Sequence, residues 1–308
     1  MRRKIFIGTR GSFLALAQAN EIKKKLKVFW PRFYFSLKII KTVGDEFQTV
    51  ELFKKNNIGV FTKTLERKLL DKKIDIAVHS LKDLPTDLPE RLCLAAFPKR
   101  RDTRDVLISK NRFSLKTLPP GAVVGTGSPR RKRQLLRTRP DLKLVDIRGN
   151  LDTRVSKVLT EKKVDAIVVA RAGLLRVRKY LTYACAITPE VLLPAVGQGA
   201  LGIEARSDDS QVLRILKKLN HPPTEKKALA ERSLLKHLQG GCRVPLGVHS
   251  VIRGNKIVLK AAVFSVKTNG FVDGKITRPI DRYENAGKLL AKLLIKKGAA
   301  KFLKEARP

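Results

Sequence analysis

Residues 122–154 read AVVGTGSPRRKRQLLRTRPDLKLVDIRGNLDTR, and this stretch decides the fold. A short apolar run, Val123-Val124, ends in Gly125-Thr126-Gly127-Ser128, and a helical pattern follows. A second apolar run over residues 142–147 ends in Arg148-Gly149-Asn150, before another helical pattern. Two strand-to-helix turns so close together are typical of a doubly wound α/β sheet.

Both turns carry groups that suit an anion. Pro129 fits the first turn of a helix, where its missing N–H costs nothing, and residues 130–133 are all basic. Helix N-termini present free N–H groups and the positive end of the helix dipole. Arginine adds forked donors that match carboxylate or phosphate. The residues predict a site for a polyanionic ligand, although a solvated basic face explains them equally well.

Length and composition set the class of protein. The chain has 308 residues, of which 43% are hydrophobic, which suits two or three domains with real cores. Its apolar runs are too short and too interrupted by Pro and Gly to cross a membrane, and the basic start lacks the apolar region of a signal peptide. We therefore expect a soluble cytoplasmic protein.

Cysteine and histidine are sparse. The three cysteines, Cys93, Cys185 and Cys242, form neither a disulfide framework nor a CxxC pair, and the four histidines have no metal-binding spacing. We expect no metal site.

The formal net charge of +39 is extreme. It suggests a nucleic acid, an anionic membrane or an acidic small molecule as partner. Zinc-finger spacing, an RNP-like aromatic motif and a basic-leucine pattern are all missing, and aromatic residues make up only 6% of the chain. A basic nucleic-acid-binding protein without catalysis remains the second hypothesis, and a non-catalytic two-lobed anion-binding protein is the third.

Strands alternate with helices along the first two thirds of the chain, which predicts parallel, doubly wound sheets. We expect one α/β domain over residues 1–99 and a second over residues 100–194. Residues 195–218 would return to complete the first domain. Residues 219–308 would form a small α+β domain. The long polar segment 42–59 is either a lid or disordered.

Two non-basic residues are candidates for chemistry. Asp83 comes just after a strand and before Pro85, where a carboxylate can transfer protons or stabilise a cation, although an Asp in a turn is common. Cys242 follows two glycines, where a thiol can be exposed and reactive, and a small core residue is the alternative. His79 and His249 read as structural.

Several stretches in the same order resemble the porphobilinogen deaminase family, also called hydroxymethylbilane synthases. The resemblance covers nearly the whole chain and rests on Gly8-Thr9-Arg10-Gly11-Ser12, on residues 75–85 (DIAVHSLKDLP), on residues 124–131 (VGTGSPRR), on residues 146–154 (DIRGNLDTR), on residues 194–199 (PAVGQG), and on Glu231-Arg232 through Gly240-Gly241-Cys242.

This resemblance implies two hinged α/β domains of periplasmic-binding-protein-like architecture and a small α+β C-terminal domain. It also implies an enzyme of porphyrin and haem synthesis, a monomer that joins four porphobilinogen molecules head to tail into hydroxymethylbilane and releases ammonia each time. The primer is a dipyrromethane cofactor held through a cysteine thioether. No metal, membrane or nucleic acid is required.

The resemblance also implies roles for residues of this chain. Cys242 would hold the cofactor, and Asp83 would donate protons and stabilise the pyrrole nitrogens and the cationic azafulvene intermediate. Cofactor contacts would come from Lys82, Asp83, Thr126, Ser128, Arg130, Arg131 and Gln198. The acetate and propionate of incoming substrate would bind Arg10, Ser12, Arg148, Arg154 and Arg176.

The chain departs from the family pattern at three positions. Ile58 stands where the lid loop usually carries lysine, Thr103 replaces a usual proline, and Gly127 replaces a usual serine. The positive charge also exceeds what the reaction needs.

Overall fold

A computed structural model describes residues 4–41, 62–239 and 244–306. The chain divides into two compact units, the first built from residues up to Arg100 with Ala200–Glu225, and the second from Arg101–Gly199 with Lys226 onward. The finer division at residues 99, 194 and 218 stays a prediction.

The strands of the described residues are, in chain order, β1 (Lys4–Thr9), β2 (Tyr34–Ile39), β3 (Ile76–Ser80), β4 (Leu92–Ala96), β5 (Asp105–Ser109), β6 (Val123–Gly125), β7 (Lys143–Val145), β8 (Ala166–Ala170), β9 (Ala184–Ile187), β10 (Leu201–Arg206), β11 (Leu246–Arg253), β12 (Lys256–Phe264) and β13 (Phe271–Pro279). The helices are α1 (Phe13–Phe29), α2 (Lys63–Leu70), α3 (Pro129–Thr138), α4 (Leu151–Leu159), α5 (Arg171–Val177), α6 (Ser210–Lys217), α7 (Pro222–His237), α8 (Tyr283–Lys296) and α9 (Ala299–Glu305).

The first unit is built on a five-stranded sheet in the order β2-β1-β3-β10-β4. Strands β1, β2 and β3 are parallel, and β10 runs antiparallel to both of its neighbours. One face packs on α1, where Ala19, Ile22 and Leu26 are fully buried. The other face packs on α2 through Leu65 and Leu69.

The second unit contains a sheet with the same arrangement, in the order β7-β6-β8-β5-β9. Strands β6, β7 and β8 are parallel, and β5 is antiparallel to both neighbours. Its helix α3 begins at Pro129, as the sequence predicts, and Ser128 caps it. The carboxyl ends of β6 and β7 therefore lead directly into α3 and α4, the elements that carry the predicted anion site.

The second unit also includes a three-stranded antiparallel sheet, β11-β12-β13. Helices α7, α8 and α9 cover it around a core that includes Leu234, Leu259 and Leu290. Gly287 of α8 lies where a Cβ would come within 2.3 Å of the Ala230 carbonyl oxygen, so close packing of α8 on α7 requires glycine there.

The predicted α/β class is confirmed, with two sheet-and-helix layers and a small C-terminal sheet. The predicted doubly wound sheets are parallel only in part, because β5 and β10 run antiparallel to their neighbours. Each is the strand at which the chain enters a unit from the other one. No crossover helix from the same sheet precedes it, and such a crossover is what makes consecutive strands parallel. No helix in the described ranges is long and apolar enough to span a membrane.

Candidate active site

Asp83 lies on a tight turn that directly follows a buried strand. Strand β3 ends at Ser80, and a single 3-10 turn covers Leu81–Asp83. Leu81 and Leu84 are buried, and the Leu81 N–H donates to the Ala200 carbonyl at 3.1 Å. Because the two leucines face the core, the turn exposes Lys82 and Asp83.

A pocket with a volume of about 80 Å³ lies beside this turn. It brings together three of the residues that the sequence predicts for the site, namely Arg10, Ser12 and Asp83. The rest of the lining is Leu14, Ala15, Gln18, Thr62, Leu65, Val78, His79 and Ser80. Arg10 and Ser12 reach the pocket because they follow β1, which pairs with β3 in parallel.

Gln18 and Ser80 line this pocket but are not among the predicted site residues. Gln18 is almost fully buried on α1, and its Nε2 donates to Ser80 Oγ at 2.8 Å. Ser12 caps the same helix by accepting from the Ala15 N–H at 3.4 Å. The bond between Gln18 and Ser80 thus joins the N-terminal part of α1 to the end of β3 at the pocket wall.

In the second unit, the buried carboxylate of Asp105 is the centre of the predicted anion site. Arg130 Nη2 lies 2.9 Å from Asp105 Oδ2, and Arg131 Nη2 lies 2.7 Å from Oδ1. Gln198 Nε2 donates to Asp105 Oδ1 at 3.0 Å. Arg131 also donates through Nη1 to the Val168 carbonyl at 2.9 Å. Three predicted cofactor-binding residues therefore hold a carboxylate of the protein itself.

The charges in this cluster affect one another. Burial of Asp105 opposes its ionisation, but the guanidiniums of Arg130 and Arg131 outweigh burial and hold the pKa of this carboxyl below its ordinary value. Burial lowers the pKa of Arg130 in turn, and Asp105 counters that effect. Asp105 is therefore an ionised, fully buried counter-ion to two arginines.

Thr126 and Ser128 lie at the start of α3. Thr126 is buried, and its hydroxyl accepts from the Ser128 N–H at 3.3 Å. Ser128 is half-buried and accepts from the Arg131 N–H at 3.5 Å. These hydroxyls hold the first turn of α3 and direct Arg130 and Arg131 toward Asp105.

The remaining predicted arginines lie in the second unit, Arg148 on a turn and Arg154 and Arg176 on helices. Arg148 is exposed after β7, and Arg154 is half-buried on α4 with its Nε donating to the Gly149 carbonyl at 2.8 Å. Arg176 Nη2 donates to the Gly199 carbonyl at 2.9 Å. Gly199 has φ +84° and packs so tightly on the Arg101 carbonyl that a Cβ would lie 2.7 Å from its oxygen, so only glycine fits this turn.

Two family models match the chain. One is described as "Porphobilinogen deaminase, dipyromethane cofactor binding domain" and covers residues 5–214, and the other is described as "Porphobilinogen deaminase, C-terminal domain" and covers residues 226–296. The porphobilinogen deaminase of Desulforudis audaxviator is 47% identical over 307 residues, which are 100% of this chain and 99% of that protein. That of Chlorobaculum tepidum is 44% identical over 310 residues, with the same coverage.

The chain belongs to the porphobilinogen deaminase family. The predicted function is thereby confirmed: the chain is a transferase of tetrapyrrole synthesis that polymerises porphobilinogen with release of ammonia. The expected dipyrromethane cofactor is confirmed as well, since the matched model is named for it. The probable amino-acid ABC transporter extracellular-binding protein ytmK of Bacillus subtilis is a low-scoring structural match, with TM-score 0.44, 14% identity, and coverage of 77% of this chain and 97% of that one.

The donor set fits a cofactor that bears carboxylates. Lys82 and Arg148 are exposed cations on turns that follow strands, and Ser128 lies at the start of a ten-residue helix. A porphobilinogen deaminase needs such groups because each pyrrole unit brings two carboxylates. Cys242, the predicted attachment residue, lies outside the described residues, as does the lid segment with Ile58.

Asp105 is the site residue of the second unit that sequence reasoning missed. It is the last residue of the Arg101-Asp102-Thr103-Arg104-Asp105 segment, in which Thr103 departs from the family pattern. The available signal was an acidic residue at the start of an apolar strand, where a carboxylate is buried only if a cation pairs with it.

Proposed function

We propose that the pocket beside Asp83 is the substrate site at which this porphobilinogen deaminase forms hydroxymethylbilane. The observation that supports this is the meeting of Arg10, Ser12 and Asp83 around one pocket. Porphobilinogen carries two carboxylates, a pyrrole N–H and an aminomethyl group. The pocket combines cationic, hydroxyl and carboxylate groups that can pair with each of these.

Asp83 would act on the charge that develops when ammonia leaves. The C–N bond breaks with its electron pair on nitrogen, and the positive charge of the ammonium passes to the pyrrole methylene system. A carboxylate next to this cation lowers the barrier, and hydrogen bonding to the pyrrole N–H keeps the ring oriented. Asp83 is suited to this role because Leu81 and Leu84 of the same turn are buried in the core and fix the position of the turn.

The arginines would hold the substrate carboxylates. Arg10 and Ser12 lie at the pocket of the first unit. In the second unit, Arg148 lies on a turn, and Arg154 and Arg176 lie on α4 and α5. Guanidinium groups suit this task because they bind carboxylates through two parallel hydrogen bonds.

The cofactor would be held covalently by Cys242 and through its carboxylates by Lys82, Thr126 and Ser128. When bound, the dipyrromethane supplies a pyrrole carbon to which the first substrate unit is joined. Arg130, Arg131 and Gln198 are held by Asp105. They would therefore contact the cofactor only through N–H groups that are not bonded to Asp105. Their main contribution would be to keep α3 in place.

We further propose a cytoplasmic monomer that works without a metal ion, with the domain division expected from the sequence. The comparisons do not support the non-catalytic nucleic-acid-binding alternative. Incubating the purified protein with porphobilinogen tests the proposal. The expected product oxidises to uroporphyrin, and chelators should leave the rate unchanged. A cofactor-loaded sample that forms no product would disprove the proposal.

A further inference from the structure

A buried histidine–carboxylate pair forms part of the wall of the Asp83 pocket. His79 Nε2 lies 2.9 Å from Glu204 Oε2, and the two side chains are 5% and 0% exposed. His79 lines the pocket, whereas Glu204 lies on the adjacent strand, opposite Ala77. Neither residue has a role in the mechanism proposed above.

The surroundings of the pair are acidic. Glu66 on α2 is buried, and the pKa of its carboxyl is raised by burial and next by the charge of Glu204. The pKa of the Cys93 thiol on β4 is also raised, mainly by burial and to a smaller extent by the charge of Glu204. A hydrogen bond with Thr62 and interactions with His79 and Lys63 lower the pKa of Glu66 in turn. Within the described part of the chain, Glu204 Oε1 is buried and has no hydrogen-bond partner.

This arrangement determines which ring nitrogen remains available. A carboxylate oxygen accepts hydrogen bonds, so in this pair the N–H at Nε2 of His79 donates to Oε2 of Glu204. Nδ1 then carries a lone pair in the neutral imidazole. The residues described by the structure provide no hydrogen-bond partner for Nδ1, although the ring lines the pocket.

The polar groups of the pocket match the two ends of porphobilinogen. Arg10 and Ser12 can donate hydrogen bonds to its carboxylates, whereas Asp83 and Nδ1 of His79 can accept them from its N–H groups. We propose that Nδ1 of His79 accepts a hydrogen bond from the aminomethyl ammonium of porphobilinogen, with Glu204 fixing the ring. This inference rests on the proposed assignment of the pocket to the substrate.

The contact exists only before the C–N bond breaks. The ammonium donates to Nδ1 in the bound substrate, and ammonia then leaves with the electron pair while the positive charge stays on the pyrrole. His79 gains and loses no proton in this step. Because the bound substrate makes the contact at least as strongly as the transition state does, loss of the contact raises KM and changes kcat little.

Two substitutions separate the nitrogens of His79. Glutamine can place its amide N–H near the position of Nε2 and so keep the bond to Glu204, but it leaves the position of Nδ1 empty. Asparagine places its amide oxygen near the position of Nδ1. We expect His79→Gln to raise KM about tenfold, the effect of one hydrogen bond to a charged group, with kcat within about threefold of wild type.

His79→Asn combined with Glu204→Gln is the matched control, because it restores an acceptor and removes the stranded carboxylate. Its KM should lie within about threefold of that of Glu204→Gln alone. A purely structural role for His79 would reverse the order, with His79→Gln normal and the asparagine variant impaired. If His79→Gln does not fold, the comparison between Glu204→Gln and the double variant His79→Asn/Glu204→Gln decides. A KM of the double variant that is tenfold higher than that of Glu204→Gln would overturn the proposal.

A substrate analogue with hydroxymethyl in place of aminomethyl tests the chemistry of the contact. The KM difference between His79→Gln and wild type should shrink with this uncharged analogue, and an equal difference for both substrates would refute the ammonium contact. Asp83→Asn is assayed in parallel. If that variant loses activity while His79→Gln keeps a normal KM, only the His79 inference fails. If both variants behave as wild type, the assignment of the pocket fails too.

Discussion

Arg131 and Asp105 form a fully buried ion pair, with Nη2 of the arginine 2.7 Å from Oδ1 of the carboxylate. Arg130 pairs with the other carboxylate oxygen at 2.9 Å, and Gln198 donates to Oδ1. One aspartate thus joins α3, β5 and the turn before β10. The arginine-rich first turn of α3 is held by this carboxylate. A change at Asp105 is therefore expected to affect both the stability of the protein and the function of that turn.

Asp105→Asn should destabilise the protein. The amide keeps the shape but leaves two buried guanidiniums without a counter-ion, and removal of one partner of a buried pair costs about 3–5 kcal/mol. Urea unfolding at pH 7 measures the change. Asp146→Asn is the matched control in the same unit, because the pair of Asp146 with Lys132 is exposed at the carboxylate and should contribute little. Equal unfolding midpoints for the two variants would contradict the role of Asp105.

The same carboxylate makes stability depend on pH. The pKa of Asp105 is held below its ordinary value in the folded protein, so its contribution is complete above the unfolded-state pKa of about 3.9. The contribution is lost as the pH falls toward the folded-state pKa. The difference in unfolding free energy between wild type and Asp105→Asn should therefore be constant from pH 5 to 7 and shrink below about pH 4. If the difference in unfolding free energy grows as the pH falls, the pKa of Asp105 is raised rather than lowered in the folded protein.

Asp83→Asn should abolish most of the activity. The substitution keeps size and hydrogen bonding but removes the charge that stabilises the cationic intermediate, so we expect a loss on the order of a hundredfold or more in kcat. Turnover of porphobilinogen is measured with cofactor-loaded protein. Asp87→Asn is the control, since Asp87 is exposed four residues further along and does not line the pocket. Similar rates for both variants would make Asp83 a turn residue only.

Cys242→Ser should give a folded protein without the dipyrromethane mass. The attacking species is a thiolate, and Cys93 is a poor source of one, because burial and then Glu204 raise the pKa of its thiol. Intact-mass spectrometry of Cys242→Ser, Cys93→Ser and Cys185→Ser gives the answer. The adduct should be missing from the first variant alone. An adduct that disappears with Cys93 or Cys185 instead would reassign the attachment.

Much of the secondary structure follows from the sequence, because periodicity is a local property. The apolar run at residues 106–108 predicts a strand, and the strand is Asp105–Ser109. The helical periodicity of residues 283–297 predicts a helix, and the helix is Tyr283–Lys296. Pro129 begins α3 as its fixed φ predicts. The motifs that carry the family resemblance also locate Asp83, Arg10 and Ser12 at strand ends.

Strand β10 shows where local patterns fail. Residues 195–218 are predicted only as a return to the first domain, whereas Leu201–Arg206 within them is a strand buried on both faces. With both faces covered it has no polar–apolar alternation, and Glu204 and Arg206 resemble surface residues until their partners are known. Those partners, His79 and Asp75, lie more than a hundred residues away along the chain.

The sequence by itself determined the chemistry of this protein: the family, the reaction, the cofactor and the set of basic residues that a polycarboxylate needs. Only the tertiary structure decided which carboxylate each guanidinium meets. A ligand carboxylate and Asp105 are chemically equivalent to Arg130 and Arg131, so no pattern of residues separates them. The choice depends on β5 pairing with β8, which brings Asp105 under α3 and buries a negative charge where two arginines can compensate for it.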